Sequence, residues 1–165
     1  MTVLPSSGSI GTMKSTEFDR LDISVSPTAP AVLRKLAAQG YSITGQRRSL
    51  VQFIVSRSRR FTAEELLRDL QNDGIKVGRA TVFRTLELLE REGYVGRVRD
   101  GERMAYTACD PDCHHHHLVC SSCGRVLHIE GCAVAGVLED LQSRTGFHIQ
   151  RHSLEVAGIC PFCQE

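Results

Sequence analysis

Four cysteines set the tightest limit on what this chain can fold into. They stand as two pairs, Cys120-Ser-Ser-Cys123 and Cys160-Pro-Phe-Cys163, with 36 residues between them. A Cys-x-x-Cys turn aims two sulfurs at one point. Two such turns complete a closed tetrahedron, which suits structural Zn2+ with no open position. Whatever lies between the pairs must therefore bring its two ends back to one place. Gly124 and Pro161 are compatible with tight knuckle turns. An iron–sulfur cluster and a redox dithiol are the competing uses of these thiols. A thioredoxin-like dithiol opens a helix after a strand, whereas Cys120 and Cys123 stand between two strand-like runs. One zinc per chain is expected here.

The chain has seven cysteines in 165 residues, an odd number that cannot all pair as disulfides. In a reducing compartment such thiols are metal ligands or reactive groups. The opening stretch, MTVLPSSGSIGTMKSTEF, lacks the basic-then-apolar pattern of a secretory signal, and no apolar run approaches a membrane span. A cytoplasmic protein with no membrane partner is expected.

Ahead of the first pair lies "CDPDCHHHHLVC", residues 109–120. An internal run of four histidines is unlike a terminal tag. Extended chain sends alternate side chains to opposite sides. His115 and His117 then face one way, and His114 and His116 the other, so the run can serve two metal sites. Each side needs further donors, for which Cys109, Cys113, His128, His148 and His152 are the candidates by type. A solvated polyhistidine loop is the competing use of the run.

Residues 29–100 carry 14 Lys/Arg against 8 Asp/Glu, and residues 101–165 carry 4 against 8. A basic first half joined to an acidic, Cys/His-rich second half points to two tasks. Residues 1–28, rich in Ser, Thr, Gly and Pro, read as a mobile arm. Four helical stretches follow, beginning "TAPAVLRKLAAQG", "TGQRRSLVQFIVSRS", "TAEELLRDLQNDG" and "GRATVFRTLELLEREG". Thr44 is a candidate N-cap, and Thr62 with Glu65 makes a capping box. In "YVGRVRDGERMAYTA" the Asp100-Gly101 pair marks a hairpin. Short helices followed by a hairpin predict a winged helix-turn-helix domain over 29–108. The helix before the hairpin is its recognition helix. Arg79, Thr81, Phe83 and Arg84, with Arg47, are the expected DNA contacts. A solvated basic face on a helical bundle is the competing reading. Residues 109–117 read as a hinge and metal-binding segment. Residues 118–165 read as a small α/β module: strands at "HLVC" and "RVLHI", an amphipathic helix at "CAVAGVLEDLQSRTG", and a long strand at "FHIQRHSLEVAGIC". The expected fold class is therefore α+β.

"RATVFRTLELLEREGYV", "HHHHLVCSSCGRVLHIEG", "TGFHIQRHSLEVAGIC" and the final "CPFC" resemble the ferric-uptake-regulator (Fur) family, over about residues 29–163 and in the family's order and spacing. The resemblance implies a homodimer with an N-terminal winged-helix DNA-binding domain and a C-terminal dimerisation domain. It also implies metal-dependent repression at a double-stranded, palindromic DNA operator. Carried over by position, Cys120, Cys123, Cys160 and Cys163 resemble the family's structural zinc site. Cys109, His115, His117 and His128 resemble its sensor site, and His114, His116 and His152 a further site of the dimerisation domain. The chain departs from the pattern at four places. Arg60 stands at the hinge histidine, Phe83 at the recognition-helix tyrosine, and His128 where others place Glu or Asp. Ala135 stands at the carboxylate of the further site, for which Glu139 is a substitute one turn along. Cys113 competes with Cys109 by type, and Cys132 has no family role.

A thiolate with imidazoles and no carboxylate favours Zn2+. A zinc-uptake regulator is the first reading, with an Fe2+- or Ni2+-responsive repressor and a thiol or peroxide sensor as alternatives. A zinc hydrolase needs an open coordination position and a general base. Neither H-E-x-x-H nor H-x-E…P-C-x-x-C is present, so no enzyme activity and no small-molecule substrate are expected.

Overall fold

The computed structural model describes residues 27–164. The arm expected over 1–28 lies, but for its last two residues, outside them. Four helices come first: α1 (Ala29–Ala38), α2 (Gly45–Val55), α3 (Ala63–Asn72) and α4 (Arg79–Arg91). The starts of α2 and α3 are fixed by side chains. The Thr44 hydroxyl accepts from the Arg47 N–H, and Thr62 and Glu65 cap each other's backbone N–H groups. Apolar residues at helical spacing then close one core. Val32, Leu36, Leu50, Ile54, Leu66, Leu70, Val82, Leu86 and Leu89 are all buried in it.

Strands β1 (Val95–Asp100) and β2 (Arg103–Ala108) pair antiparallel. Asp100 opposite Arg103 leaves a two-residue loop, Gly101-Glu102. Only Gly101 has a positive φ, +61°, which suits the first loop position of a type II′ turn. Phe61 bridges to Tyr106 through both backbone groups and so adds a third, one-residue rung. This is a winged helix-turn-helix domain.

The C-terminal sheet has the order β4-β3-β5. β3 (His115–Cys120) is its centre, antiparallel to β4 (Val126–Glu130) and parallel to β5 (Glu155–Gly158). Helix α5 (Ala135–Thr145) lies between β4 and β5 in the chain. The long strand expected at 147–160 is realised only at its last third. The ladder with β3 runs over Glu155–Gly158, and the residue before it, Leu154, adds one bond by accepting from the His117 N–H at 3.3 Å. Helix α5 is amphipathic in sequence yet has no buried residue.

The two parts touch through a small apolar patch made of Val98, Ala105, Val119 and Val126, one residue from each of β1 to β4. The hairpin therefore turns Val95 and Ala108 into the helical core and packs the face with Val98 and Ala105 on the C-terminal sheet. No helix among the described residues is long and apolar enough to cross a membrane.

Candidate metal centres

Three groups of four donor atoms each come within 4.8 Å of one another. The first is the thiol set Cys120, Cys123, Cys160 and Cys163. Cys120 ends β3, and a tight turn follows in which Gly124 N–H donates to the Cys120 carbonyl at 2.9 Å. The parallel pairing of Cys120 with Gly158 delivers Cys160 to the same place, and the short 3-10 turn Pro161–Cys163 brings the fourth sulfur round. Cys123 Sγ lies 3.7 Å from Cys160 Sγ. A tetrahedron with Zn–S bonds of 2.3 Å places its sulfurs about 3.8 Å apart, so the spacing fits zinc and is far from a disulfide. Burial alone would raise the Cys120 thiol. Backbone N–H groups of Cys123, Cys160 and Ser122 aimed at its sulfur outweigh that and pull it down to about 6. Cys160 is pushed up to about 12 by burial and by the thiols around it. A pocket that holds one thiolate and crowds another is arranged for a cation.

The second group is Cys109, His115, His117 and His128. His117 and His128 are direct partners across the β3–β4 ladder, and His115 lies two residues along on the same face. The three imidazole rings stand 5.1 Å apart, centre to centre, in each pairing. Cys109 follows β2 and is 5% exposed, with its sulfur 3.4 Å from His117 Nε2. A Cβ at Gly96 would sit 2.8 Å from that sulfur and 3.3 Å from His117 Cε1. The missing side chain at Gly96 is what leaves room for the cluster. His115 Nδ1 faces the Cys113 carbonyl at 2.9 Å. A carbonyl can only accept, so Nδ1 carries the proton and Nε2 is the free donor atom. Burial holds His117 and His128 down at about 4 and pushes the Cys109 thiol up to about 12. At neutral pH the His117 and His128 imidazoles are thus uncharged and ready to ligate.

The third group is His114, His116, Cys132 and His152, on the opposite face of β3. His114 and His116 face His152 at ring separations of 4.8 and 5.2 Å. The sequence signal for His114 and His116 was the alternation of the histidine run, and for His152 its residue type and the family resemblance. Cys132 had no signal, because its approach depends on the turn before α5. Glu139, exposed on α5, is not among the clustered donors. Cys113 and His148 are exposed and join none of the three groups.

Arg60 is the other residue whose role sequence did not reveal. Its guanidinium bridges the Asp100 carboxylate and the Cys120 carbonyl, the latter at 3.0 Å. Its backbone N–H donates to Gly124 at 2.8 Å. The winged domain is thereby fastened to the thiol knuckle by an arginine. Gly124 allows this, since a Cβ there would lie 2.7 Å from Arg60 Nη1.

On the winged domain, Arg79 and Arg84 are exposed on α4, while Thr81 and Phe83 are half-buried. Arg79 pairs with Glu64 at 3.0 Å and stacks on Phe83. The Arg47 guanidinium, half-buried, donates to the Ser42 carbonyl.

The ferric uptake regulator family matches this chain over residues 38–157. The ferric uptake regulation protein of Legionella pneumophila is 33% identical over 133 residues, 79% of this chain and 97% of that one. Among solved structures, the Helicobacter pylori ferric uptake regulator, described as having three functional metal binding sites, is similar. It shows 18% identity and a TM-score of 0.66 over 87% of this chain and 98% of its own. A zinc uptake regulator solved with zinc and DNA also has a TM-score of 0.66, at 22% identity over 82% of this chain and 92% of its own. At these identities the two structures establish the shared fold.

Proposed function

The chain belongs to the ferric uptake regulator family of metal-dependent transcriptional regulators, and on that footing we propose that it is a repressor that senses Zn2+ through Cys109, His115, His117 and His128 and controls zinc-uptake genes. The observation that carries this reading is the donor set: one thiol and three imidazoles, with no carboxylate among the four. Such soft and borderline donors favour Zn2+ over Fe2+ or Mn2+. The zinc uptake regulator of the same fold is consistent with it. The metal-free Cys109 thiol, buried and pushed up to about 12, is a poor thiolate nucleophile, which weighs against a peroxide-reactive role.

Cys109 belongs to the end of the winged domain, and the three imidazoles belong to the C-terminal sheet. When bound, the ion supplies a cross-link between those parts. Residues 29–108 are then the DNA-binding unit, 109–117 the hinge segment and 118–165 the dimerisation unit. The single apolar core running from Val32 to Ala108 supports the first of these boundaries. Fixing the hinge fixes the direction in which α4 points. Two recognition helices of a dimer fit successive major grooves only at a set spacing, so a loose hinge lowers affinity for a palindromic operator. Arg79 and Arg84 supply phosphate and guanine contacts, and Thr81 and Phe83 meet thymine methyls. Arg47 holds the loop ahead of α2 and offers its remaining N–H groups to phosphate.

Fur-family regulators act as dimers, and a surface suited to a second copy is present. Val137 and Phe147 are 59% and 75% exposed, and Leu141, Val156, Ile159 and Phe162 are exposed with them. β5 is an edge strand of its sheet. Monomeric surfaces rarely leave such an apolar patch uncovered.

The test is binding to genomic duplexes retained by the zinc-loaded protein, followed by fluorescence anisotropy against buffered free Zn2+, Fe2+, Mn2+ and Ni2+. Zinc should drive binding at the lowest free concentration, and Cys109→Ser should move that midpoint upward. A lower midpoint with Fe2+ or Ni2+, or an unmoved zinc midpoint in the variant, overturns the zinc assignment.

A further inference from the structure

We infer that Cys132 is the fourth ligand of a second thiolate–imidazole site, with His114, His116 and His152, that takes a thiophilic divalent ion of the Zn2+ class. Family resemblance supplies three histidines there and places Ala135 at the carboxylate. On that evidence alone the site lacks a ligand. The structure closes it from another direction. Cys132 Sγ lies 3.2 Å from His152 Nε2, and its sulfur and the three imidazoles offer donor atoms within 4.8 Å of one another. His116 gives the independent sign. It is 1% exposed, and its Nε2 is buried without a hydrogen-bond partner. A buried imidazole nitrogen left unpaired costs free energy, and a metal bond is one of the few ways to satisfy it. The same group of rings and sulfur surrounds it, with His114 at 4.8 Å and His152 at 5.2 Å, centre to centre.

Local chain geometry explains how the cysteine arrives. The chain leaves β4 at Glu130, and Gly131 N–H donates to the His114 carbonyl at 3.1 Å. That contact lays the next residues back across the face of β3 that carries His114 and His116. Ala135 N–H then donates to the Cys132 carbonyl at 3.3 Å as α5 begins. Ala135 itself, with one carbon of side chain, offers no ligand.

None of these four residues belongs to the winged domain, and none is shared with the Cys109 cluster. An ion held by them ties β3, the turn into α5 and the segment before β5 to each other. The turn leads into α5, which carries Val137 and Leu141, and the segment before β5 carries Phe147. The site thus orders the apolar face of the C-terminal unit, and it leaves the hinge angle to Cys109. A thiolate in place of a carboxylate also sets its preference: Zn2+ and Co2+ are held in preference to Mn2+ and Fe2+.

Cysteine labelling of the full chain with iodoacetamide, read peptide by peptide by mass spectrometry, tests this with added Zn2+ as the probe. Zinc should protect Cys132. His152→Ala, a half-buried change, should lower zinc affinity at this site by at least the roughly 10–100-fold that loss of an outer partner of a metal ligand costs. It should leave Cys132 reactive in the presence of zinc. With Co2+ in place of zinc, Cys132→Ser should remove part of the near-ultraviolet thiolate-to-cobalt absorption. Mn2+ should give no protection of Cys132. The inference is overturned if Cys132 labels at the same rate with and without zinc, or if cobalt spectra of wild type and Cys132→Ser coincide. Failure of the hinge reading would instead show as an unmoved zinc midpoint of DNA binding in Cys109→Ser, so the two outcomes separate.

Discussion

The sulfur of Cys109 lies 3.4 Å from Nε2 of His117, across the boundary between the wing hairpin and the C-terminal sheet. Gly96, on β1, stands beside both, with no side chain between them. Gly96→Ala should therefore leave the fold intact and damage the hinge cluster. Overpacking a filled site costs about 1–3 kcal/mol, or roughly 5- to 150-fold in affinity. Competition with a zinc chelator should show that loss at one site per chain, with the four-cysteine site unaffected.

Acid should act on the hinge in two separate ways. Cys109, at about 12, keeps its proton until an ion arrives, so each ion bound there releases one proton. Hinge affinity should rise about tenfold per pH unit between about pH 6.5 and 8. Calorimetry in buffers of different ionisation enthalpy measures that proton, and a flat profile would remove Cys109 from the ligand set.

The metal-free protein should also lose stability as pH falls. His117 and His128 titrate near 4 when folded, against 6.5 for the ordinary side chain. The unfolded chain takes up these protons first, so acid favours unfolding from about pH 6.5 down to about 4. Urea midpoints across that range read the effect, which zinc loading should suppress.

Breaking the Arg60 fastening should weaken the join between the two parts. Hydrogen bonds to charged groups contribute about 1.5–3 kcal/mol, and Arg60→Ala leaves Asp100 and the Cys120 carbonyl without this partner. The expected loss is of that size in chemical denaturation. Zinc should leave the four-cysteine site faster under chelator than in wild type.

Stripping that zinc, or substituting Cys123→Ser, should unfold the C-terminal unit while the helical domain survives. Its buried clusters are small: Cys120, Leu127 and Cys160 in one, and the four-residue patch against the hairpin in the other. Small cores lean on structural metal, whose binding energy is largely folding energy. Circular dichroism should keep the helical signal of α1 to α4. A stripped protein with all its secondary structure would remove the claim.

Leu141→Asp with Phe147→Asp should convert dimers to monomers in sedimentation equilibrium at micromolar concentration. Both side chains are exposed, so zinc content at the four-cysteine site should not change.

The local devices were legible because each is short-range. The Thr62–Glu65 box, the Asp100-Gly101 hairpin, the two Cys-x-x-Cys turns and the alternation of His114 to His117 are all settled within a few residues. What escaped sequence reading depends on distant partners. Cys132 reaches its cluster through a turn anchored on His114, and Arg60 meets the knuckle from sixty residues upstream. The stretch from 147 to 154 alternates like a strand, yet the ladder with β3 starts only at Glu155, with one bond to Leu154 ahead of it. α5 carries an apolar stripe of which the described residues bury no member.

The pairing of His117 with His128 has a last consequence. Side chains on a strand change faces with every residue, so sliding β3 by one position against β4 would exchange the two imidazole sets wholesale. His114 and His116 would be delivered to Cys109, and His115 and His117 to Cys132. The turn at 121–125, which fixes that register, therefore assigns every histidine of the run at once.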